Sequence, residues 1–190
     1  MPRSSERGIF YAAIPPFPRS PPRTAAVRLN NLTIRRLPVK ENTVNSTPST
    51  PSINNDSPLT ASLVRDEDRP SFWLQHFGDI PHWLHIESPI FSWLDLLCKD
   101  YCGDYWDFYT LNNGGAFISP STEGEYRLFN ALNGNSTTVG PEAAGIVACL
   151  ITYSHHACRT MSDAMTEHYY RLRDYALSHP ESNAIMRIID

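Results

Sequence analysis

Thiol and imidazole side chains lie close together between residues 149 and 158, where Cys149 and Cys158 flank His155 and His156. A cysteine nucleophile requires a base within hydrogen-bonding distance, and residues three apart on a helix, such as His155 and Cys158, are neighbours. Cys149 lies in an apolar helical stretch, where a thiol usually behaves as a small hydrophobic side chain. No third residue that would orient the base is evident. The pattern favours structural cysteines and leaves a Cys/His hydrolase as the weaker alternative.

A zinc site is the second possible use of the thiols. Cys98 and Cys102 have a spacing that occurs in zinc sites, but they lie on a predicted helix and no second pair at a matching spacing follows. The residues His155, His156 and Cys158 are too closely spaced to supply that pair. Because the N-terminus shows no export signal, we expect all four cysteines to be reduced thiols in the cytoplasm. We expect no metal and no other cofactor.

Five carboxylates lie between residues 100 and 125, and two opposed carboxylates can perform general acid–base chemistry. The same residues can form a solvated acidic rim at the ends of strands, which is the interpretation that their spacing favours. Gly114-Gly115 joins two predicted strands and does not open a helix, so it is not a phosphate loop. We therefore treat the carboxylates as a candidate interaction surface rather than as catalytic groups: Asp100, Asp104, Asp107, Glu123 and Glu125.

Composition divides the chain near residue 65. Residues 1–65 contain ten of the 16 prolines and nine Lys/Arg against three Asp/Glu, whereas residues 66–190 contain seven Lys/Arg, 17 Asp/Glu and all four tryptophans. The first segment has too little apolar surface to offset chain entropy. We expect it to be a disordered basic tail, either simply solvated or touching nucleic acid as an arm. Residues 66–190 are predicted to form one domain, and no apolar run reaches the roughly 18 residues that span a bilayer.

Apolar periodicity in residues 66–190 predicts helix, then strands, then helices. Side chains at steps of three and four follow Ser88-Pro89 and predict a helix that ends at Gly103. Alternation and Asn-Gly turns predict strands over residues 104–111, 116–119, 125–132 and 135–139. Further helices are predicted to begin at Pro141, Ser162 and Pro180. This order predicts an α+β fold, with a small antiparallel sheet of three to four strands packed with helices in a single compact domain.

Three blocks of this domain are distinctive. The first is an aromatic strand that runs into an Asn-Gly-Gly turn, Gly103–Gly115. The second is Glu142–Leu150 with Ser154-His155, and the third is Tyr169–Ala176 with His179-Pro180-Glu181 and Ile188-Ile189-Asp190. In this order the blocks resemble the antirestriction proteins of the ArdB/KlcA type. The resemblance implies a compact α+β fold and relief of type I restriction of unmodified incoming DNA. It implies no cofactor and no established catalytic residue, so we expect a protein that is not an enzyme.

Most residues of the three blocks have a structural explanation. Trp106 and Phe108 are predicted to fill the core beneath the sheet, Asn113 and Gly114 to permit a tight turn, and Gly145 to let helices approach closely. The block residues to which we assign a mainly structural role are Tyr105, Trp106, Phe108, Tyr109, Asn113, Gly114, Gly115, Ala144 and Gly145.

Two mechanisms suit such a protein. A DNA mimic places acidic side chains like phosphates in the DNA site of a restriction enzyme, and duplex DNA carries one charge per about 1.7 Å of axis. The 17 acids and seven bases of residues 66–190 are dilute by comparison, so the sequence favours indirect inhibition outside the DNA site. The expected partner is a type I restriction-modification enzyme or a host factor that regulates it. We expect no membrane association and no sequence-specific nucleic-acid binding.

Overall fold

The computed structural model describes residues 58–190, which form five helices, five strands and a 3₁₀ turn at Trp83–His85. The helices are α1 (Arg69–Phe77), α2 (Glu87–Leu97), α3 (Pro141–Thr160), α4 (Asp163–Ser178) and α5 (Ser182–Ile189). The strands are β1 (Ala61–Leu63), β2 (Trp106–Leu111), β3 (Ala116–Pro120), β4 (Tyr126–Asn130) and β5 (Asn135–Val139). All pairings are antiparallel, in the order β1-β2-β3 in one sheet and β4-β5 in a second. The predicted α+β class is confirmed.

The ordered region includes residues that the sequence analysis assigned to the tail. β1 pairs with β2 in the register Ala61 to Leu111, and the Val64 amide donates to the Phe108 carbonyl at 2.8 Å. The predicted boundary at residue 66 is therefore too late, because backbone pairing with an edge strand does not depend on the proline and charge composition from which the boundary was drawn. The rest of the predicted tail, residues 1–57, lies outside the described residues.

Helix α3 packs along one edge of β3. In β2–β3 the Leu111 amide donates to the Gly115 carbonyl, and antiparallel alternation then leaves the carbonyls of Ala116 and Ile118 pointing away from β2. The Tyr153 hydroxyl donates to the Ala116 carbonyl at 2.9 Å, and the Cys149 thiol donates to the Ile118 carbonyl at 3.5 Å. One stripe of α3, at spacings of four residues, thus covers the free edge of β3.

This covered edge explains why the strands form two sheets. A continuous four-stranded sheet would require β4 to pair with the outer edge of β3, which α3 already occupies. β4 and β5 pair with each other instead, and their Asn133-Gly134 turn is confirmed by a left-handed Gly134 with φ 73°. β4 ends at Asn130, two residues before the end of the strand predicted over residues 125–132, and Leu132 is exposed.

Helix α2 is shorter than predicted. It begins at Glu87, one residue before the expected Ser88 cap, and ends at Leu97, because Cys98 is extended with φ −119° and ψ 103°. Leaving the helix here carries Tyr101 into the sheet region, where its hydroxyl accepts a hydrogen bond from the Trp106 indole at 3.0 Å. Tertiary contact therefore overrides a helical pattern that continues to Gly103.

Side-chain caps fix the ends of two helices. The Ser162 hydroxyl accepts a hydrogen bond from the Met165 amide at 3.2 Å, which confirms the predicted cap of α4. At the other end of the chain, three asparagine amides from β4–β5 donate to the last carbonyls of α5, those of Arg187 and Ile188: Asn130, Asn133 and Asn135. These bonds satisfy carbonyls that a helix end leaves without partners. Within residues 58–190, no helix is both long and apolar enough to cross a membrane.

Candidate functional site

Two of the predicted surface carboxylates are bound to β4. The Asp100 carboxylate pairs with Arg127 at 2.5 Å, and the Asp104 carboxylate accepts a hydrogen bond from the Tyr126 hydroxyl at 2.8 Å and another from Thr122. Burial is the largest cause of the rise in the pKa of Tyr126 to about 12. The Asp104 carboxylate also raises this pKa, and the hydrogen bond with Thr122 acts in the opposite direction. These bonds attach the segment before β2 to the second sheet.

The other three predicted carboxylates do not join that contact. Asp107 pairs with Arg69 of α1 at 2.8 Å, and both side chains are partly buried. Arg69 also donates to the Trp106 carbonyl at 3.2 Å. Glu123 and Glu125 lie exposed in the connection between β3 and β4. The carboxylates are therefore held by different elements, and the contacts do not gather all five into a single array.

The structure places the predicted thiols and imidazoles in different environments. Cys149 is fully buried, which raises its pKa to about 12 and keeps the sulfur as a neutral thiol. Cys158 is exposed, and His155 packs edge-on against Trp93 with ring centroids 5.0 Å apart. Burial, aided by the charge of Arg159, lowers the pKa of His155. Among residues 58–190, no group of three or more His, Cys, Asp or Glu side chains is placed to hold a metal ion.

The aromatic block residues divide between core and surface. Trp106 is buried against Phe91, at 5.0 Å between ring centroids. Phe108 is half-buried against Phe72 of α1, at 4.9 Å. Tyr109 stacks on Phe117 of β3 with an interplanar angle of 10°. Tyr105 is 86% exposed and has no core role.

The predicted turn after β2 is also a tertiary contact. Gly114 adopts φ 82°, as the Asn-Gly-Gly signal predicted. The Asn113 side chain accepts from the Gly115 amide at 3.0 Å and donates to the Arg171 carbonyl of α4 at 2.9 Å. Asn113 therefore both shapes the hairpin and fastens it to a helix.

The small residues of the second block serve a different contact from the one predicted. Ala144 and Gly145 are buried, and a Cβ built at Gly145 would lie 2.4 Å from the Ser119 Cβ and 2.5 Å from the Ile118 carbonyl oxygen. The close approach is thus between α3 and β3, not between two helices. The expectation that Gly145 lets helices approach closely was wrong, because the apolar pattern identifies a buried face without identifying its partner.

A polar cluster that the sequence analysis missed joins the second and third blocks. The Tyr175 hydroxyl donates to Glu142 at 2.6 Å, and the other Glu142 oxygen lies 3.9 Å from the His179 Nε2. The Glu181 amide donates to the His179 Nδ1 at 3.0 Å, and the Glu181 carboxylate accepts from the Gly140 amide at 2.9 Å. The imidazole and the phenol lower the pKa of Glu142 against the opposing effect of burial. The cluster holds an ionised carboxylate at the N-terminus of α3, where the helix dipole favours it.

His168 is a second titratable group that the sequence analysis did not single out. Its ring stacks on Phe77, at 4.6 Å between centroids. Burial, with a smaller contribution from Arg171, lowers its pKa to about 4. Its Nδ1 atom is buried with no hydrogen-bond partner among the described residues. A neutral imidazole therefore completes the aromatic packing between α1 and α4.

We expect the free energy of unfolding to fall as the pH drops from about 7.5 to about 5. An unfolded histidine binds a proton near pH 6.5, whereas folded His168 stays neutral until about pH 4, so acid favours the unfolded chain in this window. Between pH 6.5, where the unfolded histidine begins to bind its proton, and pH 5, linkage at about 1.4 kcal/mol per pH unit gives a loss of about 2 kcal/mol. His76, His155 and His156, whose pKa values burial also lowers, act in the same direction.

Urea denaturation of the wild type and of His168→Gln at both pH values measures this effect. Glutamine is polar but does not titrate, so the variant should lose less stability on acidification by about 2 kcal/mol. Equal losses in the two proteins would show that His168 is not responsible.

The chain is similar in sequence to proteins of one described family. The family described as antirestriction protein matches residues 99–190. The uncharacterized protein YfjX of Escherichia coli strain K12 is 57% identical over 142 residues, which cover 74% of this chain and 93% of YfjX. The antirestriction protein KlcA of Escherichia coli is 36% identical over 140 residues, which cover 71% of this chain and 97% of KlcA.

A solved structure has a similar fold. It comes from work on the KlcA and ArdB proteins, which are described as showing a novel fold and antirestriction activity against type I DNA restriction systems in vivo but not in vitro. The two chains are 35% identical and align with a TM-score of 0.65 over 70% of this chain and 96% of the solved one. The alignment thus includes nearly the whole solved chain.

Proposed function

Because the chain belongs to the antirestriction protein family, we propose that it relieves type I restriction of unmodified DNA that enters a bacterial cell. The observation that carries the proposal is the match to the KlcA and ArdB fold over 96% of the solved chain. The protein acts in the cytoplasm on the restriction-modification enzyme or on a host factor that regulates it. It works as a binding protein rather than as an enzyme.

We further propose that inhibition is indirect and does not use the DNA site. A DNA mimic needs carboxylates that are free and closely spaced, in the manner of phosphates. Here Asp107 is paired with Arg69, and Asp104 is hydrogen-bonded to Tyr126. Activity in vivo but not in vitro, as described for the KlcA and ArdB proteins, is what indirect inhibition would produce. The bonds that Asp104 and Asp107 make to other elements therefore support a role in folding for these two carboxylates rather than a phosphate-like array.

The proposal is tested by plating unmodified phage on cells with an active type I restriction system. Expression of the chain should raise plating efficiency on that host and leave a type II host unchanged. The variant Asp100→Asn/Glu123→Gln/Glu125→Gln replaces three exposed carboxylates with neutral amides and breaks only the exposed ion pair to Arg127. Because an exposed ion pair contributes little to stability, this variant should protect as well as the wild type.

A matched variant, Asp79→Asn/Asp95→Asn/Asp174→Asn, removes the same charge from other exposed positions. Loss of protection in the first variant but not in the second would favour the DNA mimic, and purified protein should then inhibit cleavage less as salt rises. Unchanged plating with soluble, folded protein would contradict the proposed function itself.

A further inference from the structure

A cleft of about 490 Å³ lies between the 3₁₀ turn and the C-terminus of α3. It is lined by Pro81, His82, His85, Arg159 and Thr160, and none of these residues is acidic. Residues 66–190 contain 17 Asp/Glu and seven Lys/Arg. The cleft, with one arginine, two histidines and no acidic residue, is therefore less acidic than this part of the chain as a whole. The three blocks that resemble the antirestriction family do not include His82, His85 or Arg159.

The Arg159 side chain is held in place without being neutralised. Its Nη2 atom donates to the His156 Nδ1 at 3.1 Å, and the His156 Nε2 lies 2.7 Å from the Pro81 carbonyl oxygen. Since a guanidinium has only donors, Nδ1 must accept, and Nε2 carries the proton that is donated to Pro81. His156 is thus a neutral, buried support, consistent with the lowering of its pKa by burial and by the charge of Arg159.

Arg159 differs in its carboxylate pairing from the majority of the arginines among the described residues. Within residues 58–190, Arg159 forms no ion pair, whereas four others are paired with Asp or Glu: Arg65, Arg69, Arg127 and Arg171. A positioned guanidinium with spare donors matches the geometry of a bound oxyanion.

Local backbone geometry brings the two histidines together. The His85 amide donates to the His82 carbonyl at 2.9 Å, so a single turn of backbone joins the two residues, and both of them line the cleft. His82 adopts φ 60° and ψ 30°, a left-handed conformation that costs a residue with a Cβ roughly 1–2 kcal/mol. Strained conformations of this kind persist where the surrounding structure enforces them, and they concentrate at binding sites.

We propose that this cleft binds a phosphate dianion, either free phosphate or the phosphate monoester of a small molecule, with Arg159 as the fixed charge and His82 and His85 as further donors. The cleft has the volume of a small-molecule site. The net negative charge of residues 66–190 disfavours a polyanion such as duplex DNA. The C-terminus of α3 contributes about half a negative charge, which the full charge of Arg159 exceeds.

The test is an NMR titration of the full chain with sodium phosphate against sodium chloride at matched ionic strength. Phosphate should shift the signals of His82, His85 and the Arg159 Nε, and chloride should not. Arg159→Gln should weaken phosphate binding by about tenfold or more, the loss expected for a hydrogen bond to a charged group. Arg187→Gln, an exposed arginine on α5, is the matched control and should bind as the wild type does.

A second variant is needed because Arg159→Gln also removes the hydrogen bond from Arg159 to His156. His82→Asn/His85→Asn leaves the bond between Arg159 and His156 intact, and asparagine tolerates the left-handed conformation at position 82. It should also weaken phosphate binding, by a smaller factor. A nucleoside 5′-monophosphate that binds more tightly than phosphate would assign the site to an organic phosphate, and equal binding would assign it to free phosphate. Equal shifts with chloride, equal weakening by Arg187→Gln, or tighter binding of a DNA duplex would each overturn the proposal.

Discussion

Gly145→Ala is expected to lower the free energy of unfolding by about 2 kcal/mol. The new methyl group would lie 2.4–2.5 Å from the Cα and Cβ of Ser119 and the carbonyl oxygen of Ile118. Two of these atoms belong to the backbone, so the strand must move away from the helix, and overpacking of this kind costs about 1–3 kcal/mol or more. Alanine regains about 1 kcal/mol of helix propensity. The steric term wins because β3 is held by β2 on its other side.

Separation of α3 from β3 also strains the bonds made by the same stripe of the helix. The Cys149 thiol and the Tyr153 hydroxyl, one and two turns further on, should bind their carbonyls less well. Thermal unfolding followed by circular dichroism measures the effect. Gly124→Ala is the matched control, because a Cβ there meets nothing within 4 Å, and its melting temperature should stay close to that of the wild type. A Gly145→Ala protein as stable as Gly124→Ala would refute the close contact.

Phe77→Ala is expected to cost about 3–5 kcal/mol, the range for removing a buried phenyl ring. Phe77 is completely buried and contacts rings from three helices. Its centroid lies 5.2 Å from Trp73 of α1, 5.5 Å from Tyr153 of α3 and 4.6 Å from His168 of α4. Its removal leaves a cavity where these helices meet. A loss of this size is a large fraction of the stability of an ordinary domain.

Leu74→Ala on the same helix provides the comparison. Leu74 is 63% exposed, so its truncation should change the free energy of unfolding by roughly 0.5 kcal/mol or less. Urea denaturation of both variants gives the two values. Similar destabilisation by the two substitutions would mean that Phe77 does not anchor α1 to the core. In cells, Phe77→Ala should also reduce protection against restriction by lowering the amount of folded protein.

Element types and turns followed from the sequence because their causes are local. The left-handed Gly114 and Gly134 and the Ser162 cap depend on residues within a few positions, and the structure confirms each of them. The α+β class and the family resemblance followed from the order of elements and from three short blocks. Helix ends were less predictable, as α2 shows, because the contact of Tyr101 with Trp106 is not encoded in the periodicity of the helix.

Partner choice was decided only by the tertiary structure. The sequence marked the helix that begins at Pro141 as apolar around Cys149, but only packing showed that this helix covers the edge of β3 and so divides the strands into two sheets. Packing of distant elements also forms the polar cluster around Glu142 and the cleft beside Arg159. Tyr175 and Glu142 are 33 residues apart, and His156 and Pro81 are 75 residues apart. A hydrogen bond across such a separation depends on how whole elements pack, and no local pattern of residue types specifies it.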